Sequence, residues 1–305
     1  MTHRRAVAAM VLVTLMWSIA GVVTRHLEAA RSFEVTFWRS LFNAAGLMVL
    51  LGWLKGPATL WRSVRHGGRT LWLSGLCWSV MYTAFMVAIT LTTVANVLVT
   101  MALAPLLTAL IAWLVLGQQL ALRTWGAIVV AGLGILWMFA QDVSGGGSRH
   151  VLGVAVAFGV PLASAINWSV IQHHNRAAGG QPQDLLPAVL IGALLSALAT
   201  LPLALPFQAS PHDLGLLGLL GVVQLAIPCL IVVQVARVLS APEVALLALL
   251  EVVFGVLWAW LGADESPSTA VLGGGALVLG ALVANEVLGL RGASNAGSWK
   301  TKENA

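Results

Sequence analysis

Apolar residues recur along this chain in long runs that are separated by short polar segments. The runs predict ten helical spans, in chain order 6–24, 35–54, 70–91, 94–115, 124–141, 151–173, 184–206, 213–237, 242–262 and 269–289. A helix of about 20 apolar residues crosses the hydrocarbon core of a bilayer. Helices are predicted rather than strands because an open strand edge leaves backbone groups unpaired in lipid. The predicted fold class is an all-α polytopic membrane protein with ten transmembrane helices.

Composition supports a membrane protein. Of the 305 residues, 59% are hydrophobic and 9% are charged, whereas soluble domains carry roughly a quarter charged residues. The net charge of +5 does not indicate a nucleic-acid partner, since basic residues of membrane proteins gather on cytoplasmic loops. Cys77 and Cys229 both lie within apolar spans, so the sequence predicts no disulfide framework. We interpret 6–24 as a retained first helix rather than a signal peptide.

The placement of Lys and Arg predicts the orientation in the membrane. With a cytoplasmic N-terminus, the outer loops hold three basic residues, Arg25, Arg31 and Arg149. The inner segments hold twelve, namely Arg4, Arg5, Lys55, Arg62, Arg65, Arg69, Arg123, Arg176, Arg237, Arg291, Lys300 and Lys302. Both termini are therefore predicted to face the cytoplasm, with the chain in the bacterial inner membrane.

The second half of the chain repeats features of the first. A shift of 147 residues places 112–114 on 259–261, both Ala-Trp-Leu, and Trp17-Ser18 with Arg25 is echoed by Trp168-Ser169 with Arg176. Five spans per half is an odd number, so the halves must insert in opposite orientations. Inverted repeats of this kind are typical of transporters, whose substrate site lies near the bilayer midplane. The predicted division is a first repeat, a Gly/Ser linker, a second repeat and a disordered cytoplasmic tail, at 1–143, 144–150, 151–290 and 291–305.

The order and spacing of several loose motifs resemble the drug/metabolite transporter superfamily, in particular EamA-type permeases. The matching pieces of the first half are LMWSIAGVVTR, FWRSLFNAAG, ANVLVTMALAPLLTALIAWLVLGQQL and RTWGAIVVAGLGIL. Those of the second half are NWSVIQHHNR, APEVALLALLEVVFGVLWAWLGADES and VLGGGALVLGALV. The chain departs from many such relatives at Gly117-Gln118 and Asp264-Glu265, where they carry Gly-Glu, and at Val252, where they carry Pro.

This resemblance implies two five-helix halves and the export or exchange of small metabolites, with amino acids a frequent cargo. It implies a small-molecule substrate and a transporter rather than an enzyme. Relatives that carry nucleotide sugars or triose phosphates show that the cargo varies within one architecture.

Glu251 is the first candidate site residue, because it lies near the middle of the ninth span. A charged acid at a helix centre costs on the order of 3 kcal/mol on insertion scales. The Leu, Val and Phe residues of 244–261 offset this at roughly 0.3–0.6 kcal/mol each, so the span inserts without a partner for Glu251. We interpret Glu251 as a proton-coupling residue or a hydrogen-bond donor to cargo. The alternative is an acid that serves helix packing.

Arg39 and Asn43 share one face of the second span. A fixed cation at this depth could attract the carboxylate of an amino acid, or Arg39 could reach the lipid headgroups.

Other polar or aromatic residues within the spans complete the predicted substrate-binding set: Trp17, Trp78, Tyr82, Asn96, Trp168 and Gln224. Aromatic walls suit a partly apolar cargo or an ammonium group, and amides can donate to and accept from a zwitterion. The alternative for each is helix packing or interhelical hydrogen bonding. Gln224 has the stronger case, because Pro228 lies one turn further on and frees a backbone carbonyl.

The leading hypothesis is a secondary transporter that exports amino acids, aromatic or other neutral ones, by alternating access between inverted halves. The alternatives are a lipid-linked-sugar flippase, a passive channel, a membrane-embedded enzyme, and a permease for drugs or other metabolites. The sequence contains no phosphate loop, which argues against direct use of ATP, and we expect no cofactor. We also expect no metal site, because the adjacent His173 and His174 point in different directions on a helix.

Small residues at Ala127/Ala131 and Ala276/Gly280 predict close helix packing or contacts between copies of the chain.

Overall fold

The computed structural model describes residues 2–30, 32–117, 119–145, 147–177, 185–235, 238–239 and 241–303. Within these residues the chain is helical and contains no strand. The helices are, in chain order, α1 (His3–Ser18), α2 (Ala20–Arg25), α3 (Ser32–Lys55), α4 (Pro57–Arg65), α5 (Arg69–Leu91), α6 (Val94–Met101), α7 (Ala104–Leu116), α8 (Leu122–Gly145), α9 (Gly147–Ala177), α10 (Leu186–Ala204), α11 (Pro211–Gly221), a π-helical turn (Val222–Ala226), α12 (Ile227–Val235), α13 (Ala241–Ala263) and α14 (Thr269–Glu303).

Within the described residues, eight helical segments are long and apolar enough to cross a membrane, which indicates a multi-pass membrane protein. These segments are His3–Arg25, Phe33–Lys55, Arg69–Leu91, Val94–Leu114, Ser148–Val170, Leu186–Ala204, Pro211–Val232 and Thr269–Gly289. The fifth and ninth predicted spans correspond to shorter apolar stretches within the described residues, Leu122–Trp137 and Leu247–Ala263.

Three of the spans are interrupted. The first span breaks at Ile19, between α1 and α2. The fourth span breaks between α6 and α7, and Pro105 lies in the first turn of α7, directly after this break. The eighth passes through the π-helical turn before Pro228. Proline removes a backbone donor and disturbs the preceding turn, which explains the last two interruptions. Pro161 does not end its helix, since α9 continues through it.

Each half of the chain packs extensively on the other. Helix α3 packs against α10 and α11, and α5 packs against α9 and α10. On the other side of the bundle, α1 packs against α12 and α13, and α8 packs against α14. The largest apolar core joins residues of α5, α6 and α9 with residues of α13 and α14. Side chains that point toward the middle of this bundle are therefore enclosed by both halves.

Two segments outside the predicted spans are also helical. Helix α4 follows the second span and has an exposed Trp61 between apolar and basic positions, which is typical of a helix at the membrane surface. Helix α8 ends at Gly145 and α9 begins at Gly147, and Gly146, at the centre of the predicted linker, lies outside the described residues. Helix α14 extends to Glu303 and so includes most of the predicted tail.

We expect Gly192→Val to destabilise the protein. A Cβ at Gly192 would overlap the Cβ of Trp78 and meet the backbone of Gly75 and Ser79, because α10 and α5 approach closely there. Overpacking costs typically about 1–3 kcal/mol, so the melting temperature in detergent should fall by several degrees. Gly280→Val is the matched control, since a Cβ at Gly280 meets no atom within 4 Å. Equal melting temperatures of the two variants would contradict this account of the α5–α10 contact.

Candidate functional site

Arg39 on α3 is one of the most deeply buried side chains of the molecule, with 2% of its surface exposed. This burial contradicts the interpretation of Arg39 as an arginine that reaches the headgroups. Its Nη2 donates to Oε1 of Gln224 at 2.9 Å, and its guanidinium lies over the ring of Phe85 at 5.4 Å from the centroid. Its Nε and Nη1 have no acceptor among the described residues. A buried guanidinium with unused donors is costly unless a further acceptor can bind it.

Gln224 connects Arg39 to the break in the first span. It lies in the π-helical turn, and its Nε2 donates to the backbone oxygen of Trp17 at 3.0 Å. This oxygen belongs to the end of α1, next to the interruption at Ile19. π-Helical turns and helix breaks expose backbone groups and are frequent at functional sites. The hydrogen bonds of Gln224 therefore join two spans of the first half, those of Trp17 and Arg39, to the interrupted eighth span of the second half.

Asn43, Tyr82 and Cys229 lie beside Arg39. Asn43 is fully buried one turn after Arg39, as the i, i+4 spacing predicted. The Tyr82 hydroxyl lies near Asn43 and Cys229, and both Tyr82 and Cys229 lie near Arg39. Neither the Asn43 amide nor the Tyr82 hydroxyl has a well-formed hydrogen bond within the described residues. These groups can exchange partners at little cost.

Glu251 on α13 lies on the helix face that meets α1. Leu247, four residues earlier, packs in one cluster with Trp17, and Gly255, four residues later, approaches the backbone oxygen of Ser18. Glu251 is thus at the level of the break after α1, and it interacts electrostatically with Arg39. Its side chain is partly accessible although it lies in an apolar span. We call Trp17, Arg39, Asn43, Tyr82, Gln224, Cys229 and Glu251 the central site.

The structure does not bring every predicted site residue into this cluster. Trp78 stacks near Tyr82, with ring centroids 5.5 Å apart, but also fills the contact of α5 with α10. Asn96 is buried near the N-terminus of α6, where its Nδ2 donates to the Thr92 hydroxyl. Trp168 is 55% exposed on the surface of α9.

The end of the bundle that we predict to be outer is held by an arginine and a carboxylate. Arg25 Nε donates to Glu265 Oε2 at 2.9 Å, and its two terminal nitrogens donate to the carbonyls of Ile89 and Thr92 at 2.8 Å each. Glu265 also accepts from the backbone N–H of Val94. We call this arrangement the outer latch. It ties α2, α5 and α6 of the first half to the α13–α14 connection of the second.

Two further carboxylates hold loops at the same end. Asp213, at the start of α11, accepts from the backbone N–H groups of Glu28, Ala29 and Ala30 at 2.8–3.0 Å. Glu34, near the start of α3, accepts from the backbone N–H groups of 208 and 209 at 2.8–3.0 Å. Each acid comes from one half and holds a loop of the other, so three separate contacts close this end.

Sequence reasoning missed Cys229, Phe85 and the outer latch. Cys229 follows Pro228 in an apolar run, and its neighbours in sequence give no polar signal. The residues of the latch are 240 positions apart, so no local pattern joins them. The sequence signal for the latch is weak: Arg25 belongs to a Trp-Ser…Arg spacing that recurs in the second half.

Comparison with known proteins supports the resemblance. The model of the EamA-like transporter family matches residues 4–140. A solved structure, described only as a crystal structure of a protein, has 18% sequence identity and a TM-score of 0.64, with 94% of this chain and 98% of that chain covered. This similarity shows a shared fold over nearly the whole chain. No curated protein matches the sequence. The predicted resemblance to EamA-type permeases is therefore confirmed over residues 4–140, the part of the chain that this family model matches.

Proposed function

We propose that this protein is a secondary transporter that exports small metabolites, amino acids first among them, through the central site by alternating access. The observation that carries the proposal is the buried guanidinium of Arg39, which keeps unused donors at the meeting point of both halves. Polar and ionisable groups at membrane depth are costly and mark substrate pathways.

The contacts between helices support two inverted repeats of five spans. The contact of α5 with α9 has its counterpart, with the halves exchanged, in the contact of α1 with α12. In the same way, α5 with α10 corresponds to α3 with α11, and α7 with α9 corresponds to α13 with α1. The pairs α3–α10 and α8–α14 each join equivalent spans. This pattern is expected of two similar bundles related by an axis in the membrane plane.

The interrupted helices support alternating access. A break in a span lets its two parts tilt separately, and discontinuous helices form the sites of many transporters. Here the breaks after α1 and at the π-helical turn both border the central site. We propose that rocking of one half against the other opens this site to each side in turn, with both termini in the cytoplasm and the chain in a bacterial inner membrane.

Glu251 is the proposed proton-coupling residue. It is a partly accessible carboxyl of the central site, and it interacts electrostatically with Arg39. Protonation of such a group changes the charge of the site without any other ion, so a proton gradient could drive the cycle.

One surface feature bears on the flippase alternative. A groove between α13 and α14 is lined by apolar residues, among them Val256, Trp260 and Leu272. None of the residues that line it belongs to the central site. A flippase needs a polar path for a headgroup that opens to lipid, and this apolar groove does not supply one. Ala127 and Ala131 are buried, whereas Ala276 and Gly280 face outward, and a homo-oligomer stays a prediction.

Uptake by proteoliposomes tests the proposed function. We expect a panel of labelled neutral and aromatic amino acids to include compounds whose flux is saturable and is stimulated by a pH gradient. Empty liposomes are the control. Flux that rises linearly with concentration and ignores the gradient would indicate a passive channel and would contradict the proposal.

A further inference from the structure

We propose that the central site recognises its cargo through a carboxylate group, which binds Arg39, and that an ammonium group on the cargo is not required. The substrate class would then be small carboxylates with an apolar side group, of which amino acids are one kind. This inference rests on the proposed transport function, because it names the class of molecule that the site carries.

The unused hydrogen-bonding groups around Arg39 are mainly donors. Nε and Nη1 of Arg39 and Nδ2 of Asn43, one helical turn away, are buried donors without an acceptor among the described residues. The Tyr82 hydroxyl can either donate or accept, and Oδ1 of Asn43 is an acceptor. Gln224, which could have offered an acceptor, already uses Oε1 for Arg39 and donates its Nε2 to Trp17. A donor-rich cluster is complementary to an anion.

The geometry of Arg39 favours a planar anion. Gln224 occupies one N–H of Nη2, which leaves an edge of the guanidinium available for two parallel hydrogen bonds. Arginine binds carboxylates in this bidentate way, and such bonds are the strong ones. The guanidinium lies over Phe85, and Tyr82 is near, so an apolar group attached to the carboxylate would meet aromatic rings.

Among the described residues, no acid takes the place of the cargo. Within the described residues, Arg39 forms no ion pair with Glu251 or any other carboxylate closer than 4 Å. Glu251 acts on it only through space. A proton can neutralise the Glu251 carboxylate when the cargo brings no ammonium group. The unused N–H groups of the Arg39 guanidinium, in contrast, need a hydrogen-bond acceptor.

Four compounds that share one benzyl group separate the two charged groups of an amino acid. We would use phenylalanine, phenylalaninamide, N-acetylphenylalanine and phenylpyruvate, and measure the rise in melting temperature of the purified protein and competition against labelled phenylalanine uptake. The three compounds with a carboxylate should bind, and the amide should bind roughly 10- to 100-fold more weakly, as expected for the loss of charge-assisted hydrogen bonds. Arg39→Gln should weaken the three carboxylates to the level of the amide, and Arg39→Lys should fall between.

The two readouts separate failure of this inference from failure of the proposed function. If the amide binds as well as phenylalanine to the wild-type protein, carboxylate recognition is wrong while transport can stand. If the carboxylates raise the melting temperature but nothing is taken up, the transport function fails and the recognition stands. If only the compounds with an ammonium group bind, or if none binds, the inference is overturned. The wild-type comparison decides the matter even if an Arg39 variant does not fold.

Discussion

Glu251→Gln should abolish the part of amino-acid flux that depends on a pH gradient while the protein remains folded. The substitution keeps the size and hydrogen-bonding capacity of the side chain but removes the proton that it can carry. Glu251 lies beside the break after α1 and interacts with Arg39, so its charge state and the occupancy of the central site are coupled. We expect gradient-driven uptake in proteoliposomes to fall at least about tenfold, as for the loss of an essential acid–base group, and exchange without a gradient to persist.

Glu28→Gln is the matched control for this substitution. It also removes one acid, but the Glu28 side chain is 67% exposed at the outer end, away from the central site. This variant should behave as the wild type does. Unchanged pH dependence of transport in Glu251→Gln would remove Glu251 from the coupling role and leave it a packing residue.

Arg25→Gln and Glu265→Gln should each open the central site to the outer side more often. Either change removes the 2.9 Å contact that links the two halves at the outer latch. Hydrogen bonds to charged groups contribute about 1.5–3 kcal/mol, and the partial exposure of this pair argues for the lower end. A loss of about 1.4 kcal/mol raises the open population about tenfold.

Cys229 offers a native reporter for that opening, because it is buried in the central site. In a Cys77→Ala background, an impermeant maleimide added from the outer side should label Cys229 about tenfold faster in either latch variant than in the parent. The double variant should add little to the single ones, since both remove one contact. Arg149→Gln is the control, since Arg149 is exposed and donates to the Thr90 carbonyl at 3.2 Å, a contact outside the latch. Equal labelling rates in all variants would show that the latch does not govern access.

The spans and part of the site could be predicted from sequence because their signals are local. Runs of apolar residues predicted helical spans, since only helices satisfy the backbone in lipid. Pro228 indicated where the eighth span weakens, and the π-helical turn lies directly before it. The i, i+4 spacing of Arg39 with Asn43 correctly placed this pair on one buried helix face.

Contacts between distant spans could not be predicted in this way. Arg39 and Gln224 were separate candidates, but their hydrogen bond joins residues 185 positions apart. No proline lies near Ile19, so the sequence gives no local signal for the break there. Trp168 shares its motif with Trp17, yet it is exposed on α9 while Trp17 is partly buried. Lipid and a neighbouring helix are equally apolar, so composition does not distinguish which of the two a tryptophan faces.

The loops at 28–30 and 208–209 take part in closure only with their main-chain amides. Every amino acid except proline supplies the same N–H group. Substitution of Asp213 or Glu34 should therefore weaken the closure of this end, whereas substitution of the loop side chains that face water should not. Chains of this fold could thus differ in the charge and bulk of these loops and still close through the same two acids.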